Sequence, residues 1–359
     1  CGVLLAGTVT AKAPENLHVT ECTKHAGTHV LVPWVAGLPS EQRAAWLDER
    51  RLRWAAPEGA AEVLLLTAAL PALDLRPGHP PGGPLQRHRL QRLAAPAAID
   101  ARFSHIGGDV YALAEALPAA TWSETLVVAA LDAEGRVLDA TGLQIAGALD
   151  AVFAPAAKTA ALGARIEDGT TRFALWAPTA RAVALCLFDQ TRHDGHRGET
   201  PPLPASAHAM RPDAASGVWT RAIDLDLRGA RYAFLVDVLV PGVGLVRNRV
   251  TDPYSLGLNA DSRESVVVDL DDPATKPEGW HSDRRPDTVQ GNTDMVVYEL
   301  HVRDFSRDDA TVPAVHRGRY LGFTHPDTDG MRHLRALAEA GLTDVHLLPT
   351  YDLGSVPER

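Results

Sequence analysis

The apolar positions of this chain fall in short runs whose spacing changes along its length. Glu62-Val63-Leu64-Leu65-Leu66-Thr67 and Thr125-Leu126-Val127-Val128-Ala129-Ala130-Leu131 are brief, nearly continuous apolar stretches that predict strands. The second runs into Asp132-Ala133-Glu134-Gly135, a polar turn, and then Val137-Leu138-Asp139-Ala140-Thr141, so this region predicts a β-hairpin. Val30 to Val35 predicts a strand that Pro33 confines to a sheet edge. Ser40-Glu41-Gln42-Arg43 has N-cap character and predicts a short helix through Ala44-Ala45-Trp46-Leu47. Residues 71–96 are rich in Pro, Gly and Arg and predict a long loop. The Ala-rich stretch from Leu149 to Leu162 predicts a helical linker interrupted at Pro155.

From residue 165 the alternation becomes regular. Thr171 to Trp176, Ala182 to Phe188, Gly217 to Ile223 and Arg231 to Val238 read as short strands, and their spacing suggests a β-sandwich. The pattern changes again at Asp294. Met295 to Val302 is an apolar run of the buried parallel-strand type. Gly330 to Gly341 carries Met331, Leu334, Leu337 and Ala338 on one helical face and ends on a Gly stop. Thr343 to Pro349 is a second apolar strand. Strand, helix and strand make one β-α-β unit, the opening of a parallel α/β fold.

Length and composition fit this plan. The chain has 359 residues, enough for two or three domains at roughly 100–200 residues each. Its 29 Gly and 26 Pro against 6% aromatics suit turn-dense β modules. A net charge of −10 repels phosphates and disfavours nucleic acid as a partner, with no objection to a neutral sugar polymer. No segment reaches the roughly 20 apolar residues of a membrane span. The three cysteines have no zinc-like spacing. Cys186, inside an apolar run, reads as a small buried hydrophobe. Cys1 and Cys22 are available to pair in an oxidising compartment. Lipid modification of Cys1 is disfavoured by the apolar residues directly after it, where a polar tether is usual.

Tyr298-Glu299-Leu300-His301-Val302-Arg303-Asp304-Phe305-Ser306 closely resembles the first barrel strand of glycoside hydrolase family 13, most of all its pullulanase-type debranching branch. MRHLRALAEAGLTDVHLLPTYDLGSV looks like the helix and second strand that follow. FALWAPTARAVALCLF is similar to the opening of a family 48 carbohydrate-binding module, and VTDPYSLGLNADSRESVVVDLDDPATKPEGW to its end and linker. AAWLDERRLRW and LVVAALDAEGRVLDATGLQIAGALDAVF resemble the extra N-terminal β domain of secreted bacterial pullulanases. The resemblance implies a multidomain chain. Residues 1–43 stay unassigned, 44–150 form an N-terminal β domain, and 151–164 are a linker. An immunoglobulin-like β-sandwich module takes 165–275, with a second linker at 276–294. Residues 295–359 are the truncated start of a (β/α)8 TIM barrel.

The implied activity is retaining hydrolysis of α-1,6-glucosidic branch points in pullulan, starch or glycogen, by a secreted, cell-surface or periplasmic bacterial-type enzyme. Such chemistry needs two carboxyl groups flanking the scissile bond, carried at the C-terminal ends of barrel strands. A whole barrel takes about 250 residues. The stretch from Met295 to Arg359 holds one βα unit and a second strand, so no catalytic residue is assigned and the chain alone is expected to be inactive. Asp304, just past the first strand, and Tyr351 and Asp352, past the second, are expected on the rim of the substrate cleft. For Asp304 a structural role, as partner of Arg303 or loop cap, is the favoured reading. Glu299 is expected within the buried strand and His301 as an interior residue. Trp176 and Trp219 are expected to pack inward, with sugar stacking by Trp219 as the alternative. Trp34, Trp46 and Trp54 are undetermined. No metal ligand or cofactor is implied here, and calcium in the whole enzyme stays open. The expected partner is an α-glucan polysaccharide. Two other readings remain: a glucan-binding or scaffolding unit without catalysis, and a sister isoamylase or branching enzyme.

Overall fold

The computed structural model describes residues 21–22, 28–93, 103–188, 205–284, 287 and 289–350. Chain order opens with strand β1 (Thr28–Pro33). Seven strands then close into a barrel: β2 (Ala44–Trp46), β3 (Arg51–Trp54), β4 (Glu62–Ala68), β5 (Gln86–Arg92), β6 (Asp109–Leu113), β7 (Thr125–Leu131) and β8 (Val137–Gln144). Their order around the barrel is β2-β3-β6-β5-β4-β7-β8. Closure comes from parallel pairing of β2 with β8, Ala44 opposite Leu143. The Thr141 hydroxyl seals the seam, accepting from the Arg43 amide at 2.9 Å and donating to the Glu41 carbonyl at 3.1 Å.

The continuous apolar runs have a simple cause. Val63 and Leu65 of β4, with Val128 and Ala130 of β7, face a barrel interior that also holds Trp46, Trp54 and Trp122. The alternate residues Leu64, Leu66, Val127 and Ala129 face outward, under Leu38, Leu73 and Leu75. Both faces of these strands are covered, so neither shows polar alternation. Two expectations fail in this region. Residues 44–47 are not helical: Ala44, Ala45 and Trp46 are all buried, and ladder pairing on both sides outweighs local helix propensity. The expected loop over 71–96 contains β5. Gln86-Arg87-His88-Arg89-Leu90-Gln91-Arg92 buries only Leu90, so hydrophobicity gave no sign of a strand that β4 and β6 hold from either side.

Helices α1 (Ala146–Val152) and α2 (Ala154–Ala157, with Pro155 in its first turn) lead to the sandwich. Its strands are β9 (Gly163–Glu167), β10 (Thr170–Trp176), β11 (Ala180–Leu187), β12 (Ser206–Ala209), β13 (Arg211–Pro212), β14 (Val218–Ile223), β15 (Arg231–Val240), β16 (Gly244–Val250), β17 (Gly257–Leu258) and β18 (Ser265–Val266). One sheet runs β1-β16-β15-β11-β12, with β17 and β18 attached at β15, and the other runs β13-β14-β10-β9. Phe173, Leu175, Val183, Leu185, Trp219 and Phe234 fill the space between them. Tyr232 joins this core in edge contacts with Phe173 at 5.0 Å and Phe234 at 5.7 Å. As expected of a Pro-bearing strand, β1 lies at a sheet edge, Pro33 opposite Gly244. Residues 28–33, which the sequence left unassigned, thus belong to the sandwich. Cys186 is not a free buried thiol. It is disulfide-bonded to Cys22, their Cα atoms 5.7 Å apart, and this excludes a Cys1–Cys22 pair. Cys1 itself lies outside the described residues.

A separate compact unit begins at Leu270. In it β19 (Val297–Leu300) pairs parallel with β20 (Asp344–Leu347). Between them come α3 (Val302–Ser306), two 3-10 turns at Ala314–His316 and Tyr320–Thr324, and α4 (Asp329–Glu339). The expected β-α-β unit is present. The expectation of buried strands is not met, because a two-stranded parallel sheet with one helix cannot cover both its faces. Val296, Val297, Val345 and Leu347 are exposed, while Leu300 is buried.

Candidate functional site

Parallel sheets carry their sites at the carboxyl ends of the strands. Here that end is built by the segment between β19 and α4. Past Leu300, the His301 Nδ1 accepts the Arg303 amide at 3.1 Å and caps α3. Asp304 follows in the first turn of α3, exposed, where the helix dipole favours a carboxylate. Ser306 is buried, and its hydroxyl accepts the Gly318 amide at 2.9 Å. The Phe305 and Phe323 rings stack at 4.3 Å. Gly330 lies so close beneath that a Cβ there would sit 2.8 Å from the Phe305 ring.

Two side chains of this segment cap α4 from outside. The Asp329 amide donates to the Thr311 hydroxyl at 2.9 Å and the Gly330 amide to Asp309 Oδ2 at 3.1 Å. Thr328, the N-cap residue of α4, instead donates its hydroxyl to the His325 carbonyl at 2.8 Å. The Thr311 hydroxyl bond, then the Gly330 amide, holds the Asp309 carboxyl below its ordinary value. The His316 and His325 rings stack, with Nδ1 and Nε2 2.7 Å apart. Tyr320 donates its hydroxyl to the Thr350 carbonyl at 3.0 Å, tying this segment to the residues that follow β20. The result is a held βα loop rather than a loose connection.

The residues singled out by sequence divide accordingly. Asp304 stands at the strand end, solvent-facing. Tyr351 and Asp352 lie outside the described residues, directly after the Thr350 that Tyr320 holds. Glu299 is not buried: it projects from β19 and meets His346 Nδ1 at 3.2 Å across the strand pair. His301 is a hydrogen-bonded cap but an exposed one, not an interior residue. Trp219 offers no face to a sugar. It is 4% exposed in the sandwich core, and its indole donates to the Ala177 carbonyl at 3.0 Å. Trp176 is half-buried, donates to the Ser216 carbonyl at 2.9 Å and packs against the barrel core instead. Among the described residues no group of three or more His, Cys, Asp or Glu side chains is placed to hold a metal ion.

Asp252 went unremarked in the sequence. It is 3% exposed, accepts the Tyr232 hydroxyl at 2.8 Å and the Tyr254 amide at 2.8 Å, and its own amide donates to the Ser265 hydroxyl. Burial pushes its carboxyl up, against those hydrogen bonds. The Asp252-Pro253 pair just after β16 was the available signal.

Comparison with known proteins gives these modules their place. Residues 41–151 match the Pullulanase N2 domain, and residues 161–255 match Carbohydrate-binding module 48 (Isoamylase N-terminal domain). Pullulanase 1, chloroplastic, of Arabidopsis thaliana is 40% identical over 238 residues, covering 65% of this chain and 23% of that protein. In domain order and sequence the chain is similar to the N-terminal region of pullulanases. The pullulanase of Klebsiella pneumoniae is 38% identical over 239 residues, 66% of this chain and 21% of the relative. A structure of Klebsiella pneumoniae pullulanase complexed with maltotriose superposes with a TM-score of 0.77 at 30% identity, over 89% of this chain and 30% of that one. The chain therefore spans less than a quarter of the length of these curated pullulanases. The Pullulanase N2 match coincides with the seven-stranded barrel. The module 48 match takes in β9 to β16 but neither β1 nor Cys22, which the sandwich draws from upstream.

Proposed function

We propose that this chain is the front region of a retaining glycoside hydrolase that cleaves α-1,6 branch points in an α-glucan such as pullulan, starch or glycogen. The observation that carries the reading is the order of modules: N2 barrel, module 48 sandwich, then a parallel β-α-β unit, alike in sequence and structure to pullulanases. In this reading β19, α4 and β20 open a (β/α)8 barrel, and the Asp304 loop and the residues after β20 form part of the cleft rim. Retaining chemistry sets two carboxyl groups about 5–5.5 Å apart. The family places them beyond the strands present here, so the 359 residues alone turn over no pullulan. Reducing-end release from pullulan is the direct assay, and turnover above a blank defeats the claim of inactivity.

One observation favours a bracing role for the sandwich in addition. Trp219 is committed to the sandwich core and Trp176 packs on the barrel core, so neither stacks on a sugar, and Trp176 braces the module 48 sandwich against the barrel. Retardation in amylopectin gels that is lost on cutting away the N2 barrel alone would support glucan contact by the barrel. The Cys22–Cys186 disulfide supports an oxidising compartment, and hence a secreted, cell-surface or periplasmic protein. Thiol titration of protein isolated without reductant checks this: free Cys22 and Cys186 thiols would remove the support.

A further inference from the structure

The segment after β1, the N2 barrel and the sandwich meet around a cleft of about 160 Å³. Trp34 lines it, half-buried, its ring fixed by an indole bond to the Leu38 carbonyl at 2.9 Å. Trp122 and Thr125 line it from the barrel, and Thr179 and Leu239 from the sandwich. The Trp122 indole N–H and the Thr125 hydroxyl are both buried without a hydrogen-bond partner among the described residues. A buried polar group left unpaired costs roughly 1–3 kcal/mol, so two on the barrel wall of one cleft are notable. Glu124 stands beside them. Burial pushes its carboxyl up, and Arg181 pulls it back only in part.

The chemistry narrows the ligand. None of the described lining residues is Lys, Arg or His, so the cleft offers no counter-charge to a phosphate or carboxylate. Its walls are aromatic and aliphatic with a few hydroxyl, amide and carboxyl groups, the mixture that receives a ring with one apolar face and a polar edge. The volume lies below the roughly 300–1,000 Å³ of sites for drug-sized ligands, which limits the occupant to about one ring. We propose that this cleft binds a single neutral hexose ring of an α-glucan. The ring's C–H face lies against Trp34, and its hydroxyls answer Thr125, Trp122 and Glu124. The site needs both modules, since neither alone supplies all the walls. It rests on the α-glucan reading above.

Maltotriose is the probe, titrated into the whole chain by calorimetry and tryptophan fluorescence. The wild type is expected to bind saturably. Thr179→Trp, which fills the mouth from the sandwich side, is expected to weaken binding at least tenfold with an unchanged melting temperature. Trp34→Ala is read the same way should Thr179→Trp fail to fold. Folded variants that bind like the wild type overturn the site. Affinity electrophoresis in amylopectin separates the two claims. A wild type that is retarded yet does not bind maltotriose defeats the cleft and leaves the glucan reading standing. No retardation and no maltotriose binding defeats both.

Discussion

Asp252 shows how a single side chain can fix the end of a module. Its two carboxylate oxygens organise Tyr232 from the core and Tyr254 from the chain beyond β16. Tyr232→Phe removes one of these bonds and leaves the buried carboxyl with less support, so a loss of about 1.5–3 kcal/mol in denaturant unfolding is expected. The pH dependence has a definite sign. Burial raises the folded-state value of Asp252 above its unfolded value near 3.9. Its contribution is fully present below the unfolded value and is lost as pH rises through the folded one. Asp252→Asn has no such proton to lose, so its stability relative to the wild type should improve over that window. Unfolding curves at stepped pH that stay parallel for the two proteins would refute it. Beyond the Asp252-Pro253 pair, none of this was legible in the sequence, because burial of an Asp past a strand end leaves no periodic trace. The pairing of Cys186 was equally hidden, because its partner lies 164 residues away and spacing carries no information over that distance.

Among elements, what could be read was what local pattern decides. The β7–β8 hairpin announces itself by two apolar runs and an Asp-Ala-Glu-Gly turn, and α4 by its apolar stripe. Strands β2 and β5 are set by their neighbours, one against helical local sequence and the other with a single inward Leu, so pattern misled. At the candidate site the position of Asp304 was legible from the strand before it. The capping of α4 by Asp309 and Thr311 was not, since it needs the loop to fold back. Thr311→Ala should cost about 1 kcal/mol, a typical lost cap, and speed amide exchange at Asp329. In the sandwich, β1 depends on Gly244, which has φ +126° and leaves 2.0 Å between a hypothetical Cβ and the Val32 carbonyl oxygen. Gly244→Ala should destabilise by more than about 1 kcal/mol. Faster amide exchange confined to β1 and β16 would locate the damage there.

At the scale of the whole molecule, the sandwich begins before the N2 barrel and ends after it. Strand β1 and Cys22 are laid down first, the barrel follows, and β9 to β18 complete the sheets. The barrel is an insertion, and the β2–β8 seam brings its two ends side by side, which lets another domain accommodate it without distortion. Removing the tie between the two parts of the sandwich should matter: Cys186→Ala is expected to cost about 2–4 kcal/mol and to lower the sandwich transition without shifting the barrel's. A single transition moving as one would mean the modules unfold together. The same bond has a consequence for the chain as a covalent object. Residues 22 to 186 form a closed ring, so one protease nick anywhere within it severs the backbone without producing two molecules. Such a nicked protein keeps its mass in non-reducing electrophoresis and separates into two bands only after thiol is added.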